Sequence, residues 1–425
     1  MLDRAFNRLS LSGLCATLIG NGIGRFAFIA MMPALIQAGW FTKADASYLG
    51  VATLVGYVIG AAMSDTLADR FASASLLRGA MVACSLSFFA CAIENAGMAW
   101  YYFWRTAAGV CGAVLMVLPA PVVLPRHNLA VRARASGVVF SGIGLGAAVS
   151  GALVPLLISG VGIAVVLGDT MTTPFTLRGV TGAWIGMGCV CAVLALLGWR
   201  HWPAEVRTDG PARTSTLLPA HIRSTVWLIL VAHGLNAVGY LTHTMFWVDY
   251  VVRELGMSLA TGGFFWAMFG LGAAVGPMLT GTLADAFGLK RCLVAGFVIK
   301  AFSAVLPVLS SRAPALLVSS LLMGIFTPGI VALVSAYALD RVGQPHHRKA
   351  WGMATSAFAI AQAAGGALMA FAATALHSYR PLFCVSAGAL VGSIVCIVAI
   401  REKSTMHEPT QDVDPSPPVE TTANP

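Results

Sequence analysis

Apolar runs of roughly twenty residues, each closed by a short polar or charged stretch, recur along the whole chain. A helix needs about 20 mostly apolar residues to cross a bilayer core, so each run predicts one spanning helix. Twelve are expected, at about 9–37, 46–68, 76–94, 98–124, 136–160, 181–199, 225–252, 257–284, 291–311, 313–338, 351–376 and 381–400. Frequent glycine, as in SGIGLGAAVSG (141–151), suits membrane helices because small residues let neighbours approach closely. The first run resembles the apolar core of a signal peptide, with Arg4 and Arg8 ahead of it. It continues past Asn21 and Arg25 to Ile36 without a convincing cleavage site, so a spanning helix is expected there instead.

The second half of the pattern repeats the first. DTLADRFASASLL (65–77) and GTLADAFGLKRCL (281–293) align on Asp69 and Asp285, about half a chain apart. Similar offsets lay Gly56 and Gly60 on Gly272 and Gly276, and Asn21, Gly24 and Arg25 on Asn236, Gly239 and Tyr240. Parallel repeats of membrane-spanning segments are a transporter architecture. The expected organisation is an all-α membrane protein of two pseudo-symmetric six-helix bundles, residues 1–200 and 225–401, joined by a linker at 201–224 and followed by a disordered cytoplasmic tail at 402–425. Residues 161–180, which include GDTMTTPF, form the longest loop on their side, and no pattern assigns them a structure.

Composition agrees: 58% of residues are hydrophobic and 10% charged, against roughly 25% charged in soluble domains, and mean hydropathy is +0.81. The net charge of +9 does not imply nucleic-acid binding, because the basic residues are spread over short loops. Alternate loops differ sharply. Arg8, Arg70, Arg78, Arg126, Arg132, Arg134, Arg200, Lys290, Arg291, Arg341, Arg348 and others share one side, and only Lys43, Arg178, Arg253, Arg312 and Arg380 the other. By the positive-inside rule both termini are cytoplasmic, as expected for a multi-pass protein of the cell inner (plasma) membrane. The nine cysteines lie in or beside apolar runs without a CxxC pair, so neither a metal nor a disulfide framework is expected.

These loops carry a resemblance. GTLADAFGLKR resembles the signature that major facilitator superfamily transporters carry after their eighth helix, DTLADRF stands in the equivalent place after the second, and Arg105 to Gly109 resembles the family's RxxxG element in helix four. GIGRFAF (22–28) and GYLTHTMF (239–246) resemble the superfamily's YbfB/YjiJ-type branch. The resemblance implies the major facilitator fold over about 9–400 and a conformational latch at Asp69, Arg70, Gly281, Asp285, Gly288, Lys290 and Arg291. Asp65 stands where the signature has glycine, and Ala72, Ser73 and Ala74 replace its glycine and basic residues, so the first copy is degraded. The family's first, fourth, seventh and tenth helices line the central cavity.

Charges inside a membrane are costly and generally functional. Arg25 lies midway along the first helix with Asn21 four residues earlier on the same face, a fork of donors for a carboxylate or phosphate. Arg25 serves either a substrate or the carbonyls of neighbouring helices. Arg105 follows Trp100, Tyr101 and Tyr102, so it is either a substrate or proton-relay residue or a snorkelled anchor. His233, Asn236, Tyr240 and His243 follow 3,4,3 spacing and are expected on one face of the seventh helix, opposite Asn21 and Arg25. Lys300 is the ninth helix's only central charge, and that helix is often peripheral in the family; Thr244, Tyr337 and Gln362 are lesser polar candidates.

No Asp or Glu falls near a helix centre, so the cavity's charges are basic and favour a small organic anion. A secondary transporter for a carboxylate-bearing metabolite is expected; the alternative is an exporter of amphipathic or aromatic compounds. An enzyme is not expected, since no acid/base pair, nucleophile with its partner or metal set is clustered. No cofactor is expected. Proton coupling stays open, with His233, His243 or Asp249 as the titratable groups. The expected partners are the lipid bilayer and a small solute, and the chain is expected to be a monomer.

Overall fold

A computed structural model describes residues 6–163, 175–203, 219–376 and 378–400. The tail lies outside the described residues, as does most of the linker. Twelve helices among the described residues are long and apolar enough to cross a membrane. They are α1 (Arg8–Gln37), α2 (Lys43–Arg70), α3 (Ser73–Cys91), α4 (Met98–Arg126), α5 (Leu129–Ser159), α6 (Gly179–Trp199), α7 (Ala220–Gly239 with shorter pieces to Glu254), α8 (Leu259–Phe287), α9 (Leu289–Leu309), α10 (Ala313–Val342), α11 (Gln344–Ala375) and α12 (Arg380–Ala399). They form the two six-helix bundles. The outward face is apolar where lipid belongs, with Met278 78% and Leu196 72% exposed. Within the 161–180 loop, β1 (Val161–Ile163) pairs antiparallel with β2 (Phe175–Leu177), a departure from helix that the periodicity missed.

Local chemistry sets several boundaries. Thr42 and Asp45 form a reciprocal capping box that satisfies the first free amides of α2. Ser258 accepts from the Thr261 amide at the start of α8. The second signature loop is shorter than its sequence suggests. Helix α8 runs through Asp285 to Phe287, and Gly288 alone turns the chain into α9 at φ +88°, a conformation that disfavours any side chain. At the matching turn Ala72 sits at φ −59°, ψ 129°, which any residue adopts. That is why the first copy dispenses with the glycine.

The repeat is visible in packing. Gly109 of α4 meets the Thr53 carbonyl of α2, and Gly324 of α10 meets the Phe269 carbonyl of α8, so that a Cβ on either glycine would stand 2.1 Å from that oxygen. The halves touch along α5 and α8, where Gly144 and Gly270 face each other. A Cβ on Gly144 would lie 2.2 Å from the Ala274 nitrogen, and one on Gly270 2.2 Å from the Ala148 nitrogen. Only glycine permits that backbone approach.

Two helices are broken where the sequence predicts continuity. In α1, Leu18–Ile23 is a π-turn, and the Gly24 amide bonds to the Ile19 carbonyl at 2.8 Å. In α7 the helix stops at Gly239, restarts at Leu241–Met245 and Trp247–Asp249, and ends in a π-turn at Tyr250–Glu254. Tyr240 (φ −111°, ψ −1°) is the hinge. Such irregular backbone at membrane depth is tolerated only where protein or a cavity surrounds it.

Candidate functional site

The two interruptions put Arg25 and Tyr240 opposite each other at the junction of the halves. Arg25 reaches across with Nη1 donating to Gln362 Oε1 at 3.3 Å and Nη2 donating to the Tyr240 hydroxyl at 3.4 Å. Tyr240 in turn donates to Gln362 Oε1. Since an arginine can only donate, the Gln362 oxygen must face it and the Gln362 Nε2 is left without a partner. Tyr57 of α2 lies within electrostatic range of Asn21, Arg25 and Tyr240. Asn21 is buried beside α4 rather than sharing the Arg25 contacts, because the π-turn between them alters the expected one-face spacing.

Lys300 is the residue that sequence reasoning undervalued. Its side chain is wholly buried, with Nζ donating to Asn236 Oδ1 at 2.7 Å and lying 5.2 Å from the Tyr240 ring centre. Helix α9 keeps Val298 and Phe302 exposed on its outer face yet sends Lys300 inward. The signal was present: a lone charge midway along an apolar run has to face protein. Asn236 turns its oxygen to Lys300 Nζ, and its own Nδ2 has no partner. Gln362, only a lesser candidate by sequence, accepts from both Arg25 and Tyr240.

Three of the four α7 candidates stay together and the fourth departs: His233 and Tyr240 both lie against the Phe358 ring, and Asn236 and Tyr240 both meet Lys300. His243, beyond the Tyr240 hinge, turns into the second bundle, where it bonds Ser319 at 2.9 Å and stacks on Trp247. The hinge resets the helical phase, which a spacing count cannot register. His243 therefore packs among α9, α10 and α12 neighbours, away from Arg25.

Arg105 does not snorkel. It is 2% exposed, donates through Nη1 to the Gly24 carbonyl at 3.2 Å and lies 4.6 Å over the Phe28 ring. The break in α1 frees that carbonyl, and the guanidinium satisfies it, while Arg105 Nε is unpartnered. Arg25 and Arg105 both line a narrow crevice between the bundles with Ser47, Thr53 and Thr244; apolar Phe28, Met32, Leu54 and Met245 complete it, and no carboxylate is among its walls.

Beyond this crevice the halves are clamped. Lys43, at the start of α2, extends over the Tyr379 ring at 4.2 Å and donates to the Leu376 carbonyl at 3.4 Å. Tyr379 donates to buried Asp249, which also pairs with Arg253 at 3.3 Å, and Glu254 accepts from Ser378 and the Tyr379 amide at 2.6 Å. At the opposite end Asp69, Arg70, Asp285 and Arg291 are exposed, and none forms an ion pair with another described residue. Lys290 is occupied within its own half, capping α12 through the Ile400 carbonyl at 2.8 Å. Gly281 lies inside α8 rather than in a turn.

Paired bundles with a charged, irregular centre define a multi-pass membrane transporter. The chain belongs to the major facilitator superfamily: the family model described as "Uncharacterised MFS-type transporter YbfB" matches residues 17–399. Among solved structures, the D-xylose-proton symporter superposes with TM-score 0.68 at 14% identity, covering 92% of this chain and 96% of that one. The nucleoside transporter NupG gives 0.71 at 12% identity, covering 92% and 99%. A bacterial homologue of the human lysosomal transporter Spinster, inward-facing and unoccupied, gives 0.62 at 15% identity, covering 92% and 93%. These likenesses show the fold. Multidrug resistance protein 2 of Bacillus subtilis (strain 168) is 26% identical over 193 residues, 44% of this chain and 46% of that protein, so the match spans under half the length of the curated relative.

Proposed function

We propose that the protein is a secondary transporter that carries a small organic anion, a carboxylate-bearing metabolite, by alternating access across the cell inner membrane. The observation that carries this reading is the donor surplus at the junction. Arg25, Arg105, Gln362 Nε2 and Asn236 Nδ2 all offer N–H groups, and no carboxylate lies among their contacts. An acceptor-rich anion complements such a set, and a cation is repelled by it. Arg25, less buried than its partners, is the first contact for a solute entering from the loop end; Arg105 holds the broken helix and backs the crevice. Asn21, Asn236 and Tyr240 orient the cargo, and His233 extends the wall behind them.

The clamp at Lys43 and the exposed signature loops support a state closed at the Lys43 end and open at the loop end. The basic loops support a cytoplasmic position for both termini and for that opening. In the other state Asp69, Arg70, Asp285, Gly288 and Arg291 close the loop end as a latch, with Gly281 in the helix that leads into it. The carrier works as a monomer.

Uptake by proteoliposomes tests the reading, with labelled carboxylates against labelled organic cations. Carboxylates are expected to enter, and Arg25→Ala is expected to abolish their entry. Preference for cations, or full activity in Arg25→Ala, overturns it. Export of amphipathic compounds is the second reading, favoured by the resistance-named relative and by the apolar crevice walls. A susceptibility shift on deletion, without carboxylate uptake, decides for it.

A further inference from the structure

Lys300 has no use in a simple anion clamp, because it stands behind Tyr240 rather than on the open side. It is fully buried, yet its hydrogen bond goes to a neutral amide. The middle stretches of the helices packed around it supply no carboxylate: residues 224–248 of α7 offer only His233, Tyr240 and His243 as titratable groups, residues 313–339 of α10 only Tyr337, and residues 259–284 of α8 and 381–399 of α12 contain no Asp, Glu, Lys, Arg or His, while Asp249 and Glu254 of α7, Asp285 of α8 and Asp340 of α10 lie towards the ends of their helices. A buried ammonium without a counter-ion is costly, and an amine can shed that cost by giving up its proton, which a guanidinium cannot. Arg25 is in turn coupled to it: both charges lie within 6 Å of the Tyr240 ring centre, so they are at most about 11 Å apart.

We propose that Lys300 carries the coupled proton. When Arg25 stands empty, its positive charge opposes a second one behind Tyr240, and the amine is neutral. An anion docking on Arg25 cancels that opposition, and Nζ takes up one proton to become an ammonium. Release of the anion reverses the balance, and the same proton leaves to the side then open. One proton thus moves with each anion. The chain Arg25, Gln362, Tyr240, then Asn236 with Lys300, passes through the α7 hinge, so the titration also bears on the bend that separates the two states. The coupling to a solute rests on the anion reading; the titration of Lys300 and its bearing on the α7 bend do not.

The test needs no substrate. Spin labels are introduced through p-acetylphenylalanine at Phe71 and Phe287, exposed at the loop ends of the two halves, and their distance distribution is followed by pulsed electron paramagnetic resonance between acid and alkaline pH in nanodiscs. In the parent chain, the ratio of open to closed populations is expected to change at least about threefold across the titration, equivalent to half a tenfold step. Lys300→Met and Lys300→Gln are expected to lose that response, and Lys300→Arg to stay at the acid-end distribution at every pH. Arg25→Gln keeps a response, since Lys300 still titrates. A parent chain whose distances ignore pH overturns the proposal. So does a response that survives in both neutral Lys300 variants, which would assign it to His233, His243 or the clamp carboxylates. A Lys300-dependent response together with absent carboxylate uptake leaves the proton role standing and removes the anion reading.

Discussion

The clamp at Lys43 is the most direct place to perturb the balance between states. Replacing Lys43 with Met removes one ammonium that lies 4.2 Å over the Tyr379 ring and 3.4 Å from the Leu376 carbonyl, while the aliphatic stem is largely kept. A cation over an aromatic ring contributes about 0.5–1 kcal/mol at an exposed site and more when partly desolvated. The carbonyl contact is long and adds less than about 1 kcal/mol. Together the loss is about 1–2 kcal/mol, or roughly a 5- to 30-fold rise in the open fraction at that end. Both contacts cross between the bundles, whereas the Tyr379, Asp249 and Glu254 bonds stay within the second, so the effect falls on opening rather than on folding. The assay is alkylation of a cysteine placed at buried Ser47 on the crevice wall, using a membrane-impermeant maleimide, with mass spectrometry of the labelled peptide separating it from the native cysteines. The labelling rate is expected to rise by that factor in Lys43→Met and to stay near the parent value in Lys43→Arg. An unchanged rate in Lys43→Met refutes the clamp.

The glycine crossing between α5 and α8 gives a second test. Gly270→Val drives side-chain atoms into backbone at 2.2 Å and is expected to cost about 1–3 kcal/mol, seen as a lowered melting temperature, while Gly388→Val on α12, where a Cβ meets nothing within 4 Å, leaves it near the parent value. Equal melting temperatures for the two contradict the packing. Asp285→Asn, at an exposed residue without an ion pair in this state, is expected to change stability by less than about 0.5 kcal/mol yet to slow labelled-solute exchange at least tenfold. Full-rate exchange removes Asp285 from the latch.

The sequence by itself determined the number of spans, the paired halves and the membrane class. Those follow from one-dimensional quantities, run length and internal repetition, that the bilayer converts directly into helices. It also marked Arg25, Asn236 and Tyr240, because a polar residue deep in an apolar run is conspicuous wherever it points. The tertiary structure alone decided which of these meet. The Tyr240 hinge sent His243 into the second bundle, the π-turn at Leu18–Ile23 separated Asn21 from the Arg25 contacts, and Gln362 and Lys300 converged on Tyr240 from helices far away in the chain. Spacing along a helix predicts neighbours only while the helix is regular, and the proposed site sits where regularity fails. The proposed latch shows the same limit from the other side, since a loop motif does not name its partner, and among the described residues Asp285 forms no ion pair in this state.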